Sequence, residues 1–470
     1  MFAPTHRLSG IGVDRRNISD EILEARARRM IDSQTFTILR DPRALTGAQR
    51  ITSAKLDKLF REAERRTGVP ARLVSAVSYL ESFGDPNAES PTGPRGIMQI
   101  SGATAKTMGL KVVYATRYRV TKERRTTRNR RGRMVTRTVR VKTPYTVLVR
   151  DERMMPEKAI PAAAQHLARL EAKFGGMDWA IFAYHCGEGC VTTMRAMTDE
   201  ADEIKKPPTV AKMFFGGSPA FNRELNSAVQ SEMERDYSPT YWFRVMKAAE
   251  LLDVYREDPK TFQNLAESFR YNPASEQRAP HRLAIWLRRE DLIFAKGEDL
   301  RRDQGHKLQR VFDDPKFFGF NVRKDMIASN DRNNQEYYLQ DSPAALGALV
   351  YIAFETRRLH EAMHHHGETF VPLDVTSLVR PLDDTPGLNG KPRGEAMWHG
   401  TGEVFDIAYG RLPKGEREAL RFVLDDMGYD GYLGFVEEGT QSETMHIGAA
   451  PTAREFFTSV FADALAAPKG

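Results

Sequence analysis

Glu81 closes an apolar stretch and opens the run Glu81-Ser82-Phe83-Gly84-Asp85-Pro86-Asn87-Ala88, with Gly96-Ile97-Met98-Gln99-Ile100 close behind. One carboxylate in an apolar pocket facing a glycine-rich groove is what is needed to protonate a glycosidic oxygen. The preceding stretch, Val69 to Leu80, sets Leu73, Val74, Val77 and Leu80 at helical spacing, with Pro70 in the first turn where a missing N–H costs nothing. At the C-terminal end of that helix Glu81 is partly desolvated and sits at the negative pole of the dipole. Both effects favour its protonated form and make it a candidate general acid near neutral pH. An isolated Glu at a helix end is ordinarily a solvated surface residue. The turn chemistry of residues 90–96, Ser-Pro-Thr-Gly-Pro-Arg-Gly, sets this one apart, because it brings the chain back beside Glu81. Asp85 and Glu89, the nearest other acids, both lie in the turn.

A second cluster lies far downstream, in Met397-Trp398-His399-Gly400-Thr401-Gly402-Glu403-Val404-Phe405-Asp406-Ile407 and then Glu443-Thr444-Met445-His446. His399, Asp406 and His446 are a workable ligand set for zinc that leaves a fourth position for water, and Glu443 is placed to take that water's proton. Val404 to Ile407 reads as a strand approached through a Gly-rich turn, with Tyr432 to Val436 and Thr444 to Ile447 as further strands, so distant segments converge on one sheet. Glu443 and His446 would project to opposite faces of an extended strand; a bend or bulge between them is needed for both to reach one metal. His364-His365-His366 reads as the polar last turn of a helix from Ala344, ahead of Gly367.

The elements that must position these groups fit a chain of 470 residues with two or three cores, 41% hydrophobic and 28% charged, with formal net charge +7. No run reaches transmembrane length, and the first residues lack an apolar signal core. Cys186 and Cys190 are close enough to pair with each other. No internal repeat is evident. The most unusual composition runs from Tyr114 to Arg153. There Arg117, Arg119, Lys122, Arg124, Arg125, Arg128, Arg130, Arg131, Arg133, Arg137, Arg140 and Lys142 face a single acid, Glu123, before Asp151. Alternation on either side of Arg130-Arg131-Gly132-Arg133 predicts a basic β-hairpin. Such a ribbon points to a polyanion: teichoic acid, lipopolysaccharide phosphate or an anionic membrane surface. For nucleic acid, the rival, few aromatics interleave with the arginines to stack on bases.

The first cluster resembles the goose-type lysozyme and lytic transglycosylase family, in which a Glu-Ser pair is followed by an Asn-Ala-x-Ser turn, then Gly-Leu-Met-Gln and a short helix like Thr104 to Gly109. The family's A-x-Y-N-A-G-x-G block has its counterpart in Ala183-Tyr184-His185-Cys186-Gly187-Glu188-Gly189, with His185 for Asn and Cys186 for Ala. The resemblance implies that Glu81 protonates the leaving oxygen of peptidoglycan and then deprotonates the sugar's own 6-hydroxyl, leaving a 1,6-anhydromuramyl end. It also implies that Tyr184 steadies the cationic intermediate or the Glu, while Ser82, Met98 and Gln99 line the groove.

The second cluster is similar to the D-alanyl-D-alanine carboxypeptidase and dipeptidase family of zinc peptidases, with pattern S-x-H-x-x-G-x-A-x-D and later E-x-x-H. His399, Gly402, Asp406, Glu443 and His446 match, Met397 stands for the Ser and Val404 for the Ala. Asp374 to Arg380 resembles the family strand whose Arg grips a peptide carboxylate, which assigns Arg380 to substrate. The expected architecture is multidomain: a helical arm over 1–52, an α-helical lysozyme-like domain over 53–275 with the hairpin inserted at 111–153, a charged connector over 276–341, and an α+β zinc-peptidase-like domain over 342–470. The function implied is a bifunctional peptidoglycan-remodelling enzyme of the periplasm, cell envelope or extracellular space. A transglycosylase with a non-catalytic peptidase module, and a non-catalytic wall-binding or secretion-assembly protein, remain open alternatives.

Overall fold

The computed structural model describes residues 2–270, 294–303, 305–324, 335–363, 369–384, 399–438 and 443–467. His364 to His366, Met397, Trp398 and the apolar anchors Ile285, Trp286 and Leu287 lie outside the described residues. The chain divides into two compact units, one formed by Thr35–His185 with Arg244–Arg270 and the other by Met1–Gln34, Cys186–Phe243 and Tyr271–Gly470.

The first unit is helical. It holds the last residues of Asp20–Leu39 (α1), then Ala44–Ile51 (α2), Ala54–Thr67 (α3), Ala71–Ser82 (α4), Gly102–Thr107 (α5), Pro156–Phe174 (α6) and most of Met177–Cys186 (α7). α4 is buried through Val74, Ala76 and Val77, whereas Leu73 and Leu80 are half-buried. The helix stops where Phe83 turns left-handed at φ 52° and gives its N–H to the Tyr79 carbonyl. A bare backbone on α2 lets it approach: at Gly47 a Cβ would sit 2.7 Å from the Cβ of Phe83. Serines at 75, 78 and 82 are also buried on α4, a polar stripe that hydrophobic periodicity does not register.

Between α5 and α6 rises the expected hairpin, β1 (Val112–Arg128) against β2 (Met134–Asp151), antiparallel, with one irregularity between Val113 and Tyr114. Its turn is fixed by Asn129, whose side-chain oxygen accepts the N–H groups of Arg131 and Arg133. Tyr114, Tyr118 and Tyr145 are exposed on it, more aromatic surface among the arginines than the sequence reading allowed. The hairpin root meets the 90–100 turn at Gly96, where φ is +77° and a Cβ would collide with the Arg153 carbonyl. Gly96→Ala is therefore expected to destabilise this unit by about 3 kcal/mol, from left-handed strain plus overpacking. Thermal denaturation checks this, and an unchanged midpoint would mean that the backbone there yields freely.

The second unit is α+β. Besides the short pair Gln309–Arg310 (β3) and Gln340–Asp341 (β5), it contains β4 (Phe320–Val322), β6 (Leu373–Ser377), β7 (Val404–Ile407), β8 (Leu433–Glu438) and β9 (Thr444–Ala449). These five form one sheet in the order β4-β6-β7-β9-β8, parallel only between β4 and β6. Alternation sends Phe405, Ile407, Met445 and Ile447 into a core shared with the helices Pro343–Met363, Lys414–Tyr429 and Arg454–Ala466. Within it Gly347 packs directly on the backbone of Phe457, leaving no room for a side chain.

Two expectations are corrected here. Residues 276–341 are no mere connector: Phe294, Leu300, Leu308, Phe318, Phe320 and Tyr338 belong to the α+β core, and β4 is a strand of its sheet. Nor are the first residues an arm apart from the domains, because Phe2, Leu8 and Ile11 join the same core and Arg26 is fully buried. Arg26 grips Asp430 through Nε and Nη2, at 2.8 and 2.7 Å, and reaches Asp426 at 3.1 Å. A buried guanidinium is tolerable only with such partners, and they lie 404 and 400 positions away in the sequence.

Candidate active site

In the helical unit the serine stripe of α4 explains how the turn after Glu81 is held. Ser78 and Ser82, one helical turn apart, both donate to the carbonyl of Ile97, at 3.3 and 2.8 Å. Gln99, itself left-handed at φ 45°, donates from its side-chain amide to the carbonyls of Ala88 and Gly96 at 3.1 and 2.9 Å. The Gly96 N–H adds a 2.8 Å bond to Ala88. The turn is thus drawn against α4, and Glu81, half-buried in the last turn of that helix, sits beside it.

Tyr184, on α7, donates its hydroxyl to the Met98 carbonyl at 2.8 Å. Burial, and after it the negative charge of Glu81, hold the Tyr184 phenol well above its ordinary range. The phenol therefore stays protonated and remains a donor. Three groups named from sequence are in this way brought together: Glu81, Tyr184 and the 96–100 turn.

Two of the expected groove-lining side chains are elsewhere. Ser82 is 3% exposed with its hydroxyl committed to Ile97, and Met98 is fully buried. Both hold the turn in place and neither presents its side chain to a groove. Gln99 is half-buried, but its amide is spent on backbone carbonyls. The other acids of the turn are occupied: Asp85 accepts the Asn87 N–H at 2.9 Å, and Glu89 pairs with Arg95 at 3.0 Å.

Sequence reasoning missed Arg153. Its guanidinium is buried, forks onto both oxygens of Asp151 at 2.9 and 2.7 Å, and donates to the carbonyls of Gly93 and Ile100 at 3.2 and 3.1 Å. One side chain thereby ties the hairpin root to both ends of the turn beside Glu81. The signal available was the Asp-x-Arg of 151–153, an acid returning after a long basic tract.

In the α+β unit, strand register does the assembling. Ser377 on β6, Asp406 on β7, His446 on β9 and Val436 on β8 form one row across the sheet, and directly opposed residues of antiparallel strands share a face. His446 Nδ1 lies 2.7 Å from Asp406 Oδ1. His399, from the turn before β7, brings its Nε2 to 3.2 Å from Asp406 Oδ2, while its Nδ1 is 2.8 Å from the Leu378 carbonyl. All three are buried and offer ligand atoms within 4.8 Å of one another.

Burial alone would push the Asp406 carboxyl up, yet His399 and His446 hold it well below the ordinary carboxylate range. Arg380 stands at the margin, 3.9 Å from Asp406 and donating to the Ser377 hydroxyl. Glu443 is not with them. It is exposed just before β9, and its backbone carbonyl accepts the Gly410 N–H. β9 pairs in unbroken register from Thr444 on, so the bend foreseen between Glu443 and His446 does not occur within the strand. Cys186 and Cys190 form a disulfide.

Residues 58–129 and 125–206 match the Transglycosylase SLT domain. The two segments overlap at residues 125–129, at the end of β1. A relative from Escherichia phage T7, peptidoglycan transglycosylase gp16, is 35% identical over 134 residues, 28% of this chain and 8% of that protein. Membrane-bound lytic murein transglycosylase F 2 of Alkalilimnicola ehrlichii is 41% identical over 70 residues, 15% of this chain and 16% of its own. Membrane-bound lytic murein transglycosylase F of Alcanivorax borkumensis is 44% identical over 54 residues, 12% of each chain. The chain thus spans between 8% and 16% of the length of these relatives. The likeness is to a lytic transglycosylase domain, helical and lysozyme-like, and a separate α+β region lies outside the matched residues.

Proposed function

We propose that the protein cleaves the glycan strands of peptidoglycan without water. The observation that carries this reading is that Glu81 is half-buried beside Tyr184 while the other two acids of the turn have partners there. Glycosidases that use water flank the bond with two acids, but here Asp85 and Glu89 are occupied within the turn. One carboxylate must then serve twice. Glu81 protonates the oxygen leaving the muramyl C1 and, as carboxylate, takes the proton of the same sugar's 6-hydroxyl, whose oxygen bonds to C1. Tyr184, whose hydroxyl is committed to the Met98 carbonyl, positions the turn beside Glu81.

Mass spectrometry of the muropeptides released from purified peptidoglycan tests the proposal, with 1,6-anhydromuramyl ends as the expected product. Hydrated reducing ends would make the enzyme a hydrolase, and no release would leave a wall-binding module. Such a substrate would suit a protein of the periplasm, cell envelope or extracellular space. Among the described residues no helix is long and apolar enough to cross a membrane.

For the α+β unit we infer a zinc site that trims stem peptides. His399, Asp406 and His446 would hold the ion. The fit rests on His399: an Nδ1 set on the Leu378 carbonyl leaves Nε2 aimed at a carboxylate, an approach that needs a cation or proton between them. Zinc bound there would polarise the scissile carbonyl and acidify a water. Arg380 offers a fork for a peptide carboxylate, and Glu443 is the proton acceptor that the motif supplies. The exposed position of Glu443 favours one alternative, a module that binds metal and peptide without turnover.

A further inference from the structure

The hairpin carries a surface that folding does not account for. At ~3.3 Å per residue its 17 residues of β1 reach about 56 Å. Almost every residue from Tyr114 to Thr146 is exposed, a few valines being half-buried, and a two-stranded ribbon with neither face covered is marginal in water. Pairing makes this worse: Lys122 lies directly opposite Arg140, and Arg125 opposite Arg137. Like charges so placed repel and weaken the ladder.

Which partner would cover the hairpin follows from where the charges point. Alternation sends Lys122, Arg124, Arg128, Arg140 and Lys142 to one face and Arg117, Arg119, Arg125 and Arg137 to the other, and the turn adds Arg130, Arg131 and Arg133. Glu123 is the only acid between Tyr114 and Arg150. A bilayer meets one face of a ribbon, and a turn that enters a bilayer is apolar. A single linear polymer also occupies one face. The major groove of a nucleic-acid duplex is about 12 Å wide, is walled by phosphates on both sides, and admits a two-stranded ribbon. Tyr118 and Tyr145, exposed on opposite faces, can donate to either wall.

We propose that the β1–β2 hairpin is an arm for duplex DNA, seated in the major groove and held by phosphate contacts from both faces. Contacts of this kind read shape and charge, so binding is independent of sequence and steeply salt-dependent.

The test is fluorescence anisotropy of the full chain with a labelled duplex of about 30 base pairs. Affinity is expected to fall on the order of a thousandfold between ~50 and ~200 mM salt. The triple variant Lys122→Gln, Arg124→Gln, Arg140→Gln should flatten the salt slope by about three, one per lost phosphate contact, with muropeptide release unchanged as the sign that it is folded. Competition separates the other polyanions. Displacement of the duplex by teichoic acid or phosphatidylglycerol vesicles at lower phosphate concentration than unlabelled duplex would overturn the proposal. So would tighter binding of single strands, or a triple variant that binds the duplex as the wild type does.

Discussion

Exchange of Glu81 for glutamine is expected to lower muropeptide release by at least about a thousandfold while leaving the fold intact. General acid–base catalysis contributes on the order of 10² to 10⁴ in rate, and in the proposed mechanism one group carries both proton transfers, so no second carboxylate would retain half of the chemistry. The amide is nearly the same size as the acid and sits half-buried at the end of α4, so the packing of Val74, Val77 and the serine stripe is undisturbed. A thousandfold loss corresponds to about 4 kcal/mol of transition-state stabilisation. The measurement is anhydromuropeptide yield against time, with circular dichroism and a melting curve on the same preparation. Substantial residual release by a folded Glu81→Gln protein would remove Glu81 from the reaction. The neighbouring exchanges Asp85→Asn and Glu89→Gln should be mild by comparison, because those carboxylates hold the turn and an Arg side chain.

Why Glu81 was legible in the sequence while its supports were not has a physical explanation. Apolar periodicity before it and Gly-Pro chemistry after it are local signals, and both act over a few residues. They place a helix, a carboxylate at its end and a returning turn, as found. The Ser78, Ser82 and Ile97 bonds and the Arg153 clamp are different in kind. A serine in an apolar helix reads as weakly polar, and only the tertiary fold shows which carbonyl it faces. The same limit made Ser82 and Met98 look like groove residues: family motifs mark positions, and a position can matter for holding the backbone as much as for touching the sugar.

Long-range pairing hid still more. Charged residues near Arg26 look solvent-exposed because their partners lie some four hundred positions away. The stretch 294–341 looks like a connector because its apolar residues are spaced widely among charges, although Phe294, Leu300, Leu308, Phe318, Phe320 and Tyr338 are anchors in the α+β core. By contrast the site row Ser377, Asp406, His446 depends on strand register, which alternation within β7 and β9 encodes in each strand separately. The histidines and the aspartate could be named together from their types and motif spacing, and the same parity already required a bend to bring Glu443 to them, which β9 does not supply.

The α+β unit is expected to carry about one zinc per chain after metal loading, and Asp406→Asn should lose it. Asp406 lies between both imidazoles, at 2.7 Å from His446 and 3.2 Å from His399. Its neutral amide would remove the charge that offsets a divalent ion in a buried site. Elemental analysis after dialysis against metal-free buffer reads the content directly, and a native-state ligand should also raise the melting temperature of the loaded protein over the chelated one. Glycan cleavage should be indifferent to chelation, since Glu81 and Tyr184 belong to the other compact unit. Glu443→Gln then separates the two readings of this site. If Glu443 is the base, the variant keeps its zinc and loses stem-peptide trimming by about a hundredfold or more. If wild type and variant both bind zinc and neither shortens stem peptides, the unit is a metal-held recognition module, as the exposed position of Glu443 before β9 would favour. Wild-type protein that takes up no zinc would sink both readings and leave Asp406 as a structural counter-charge for two buried histidines.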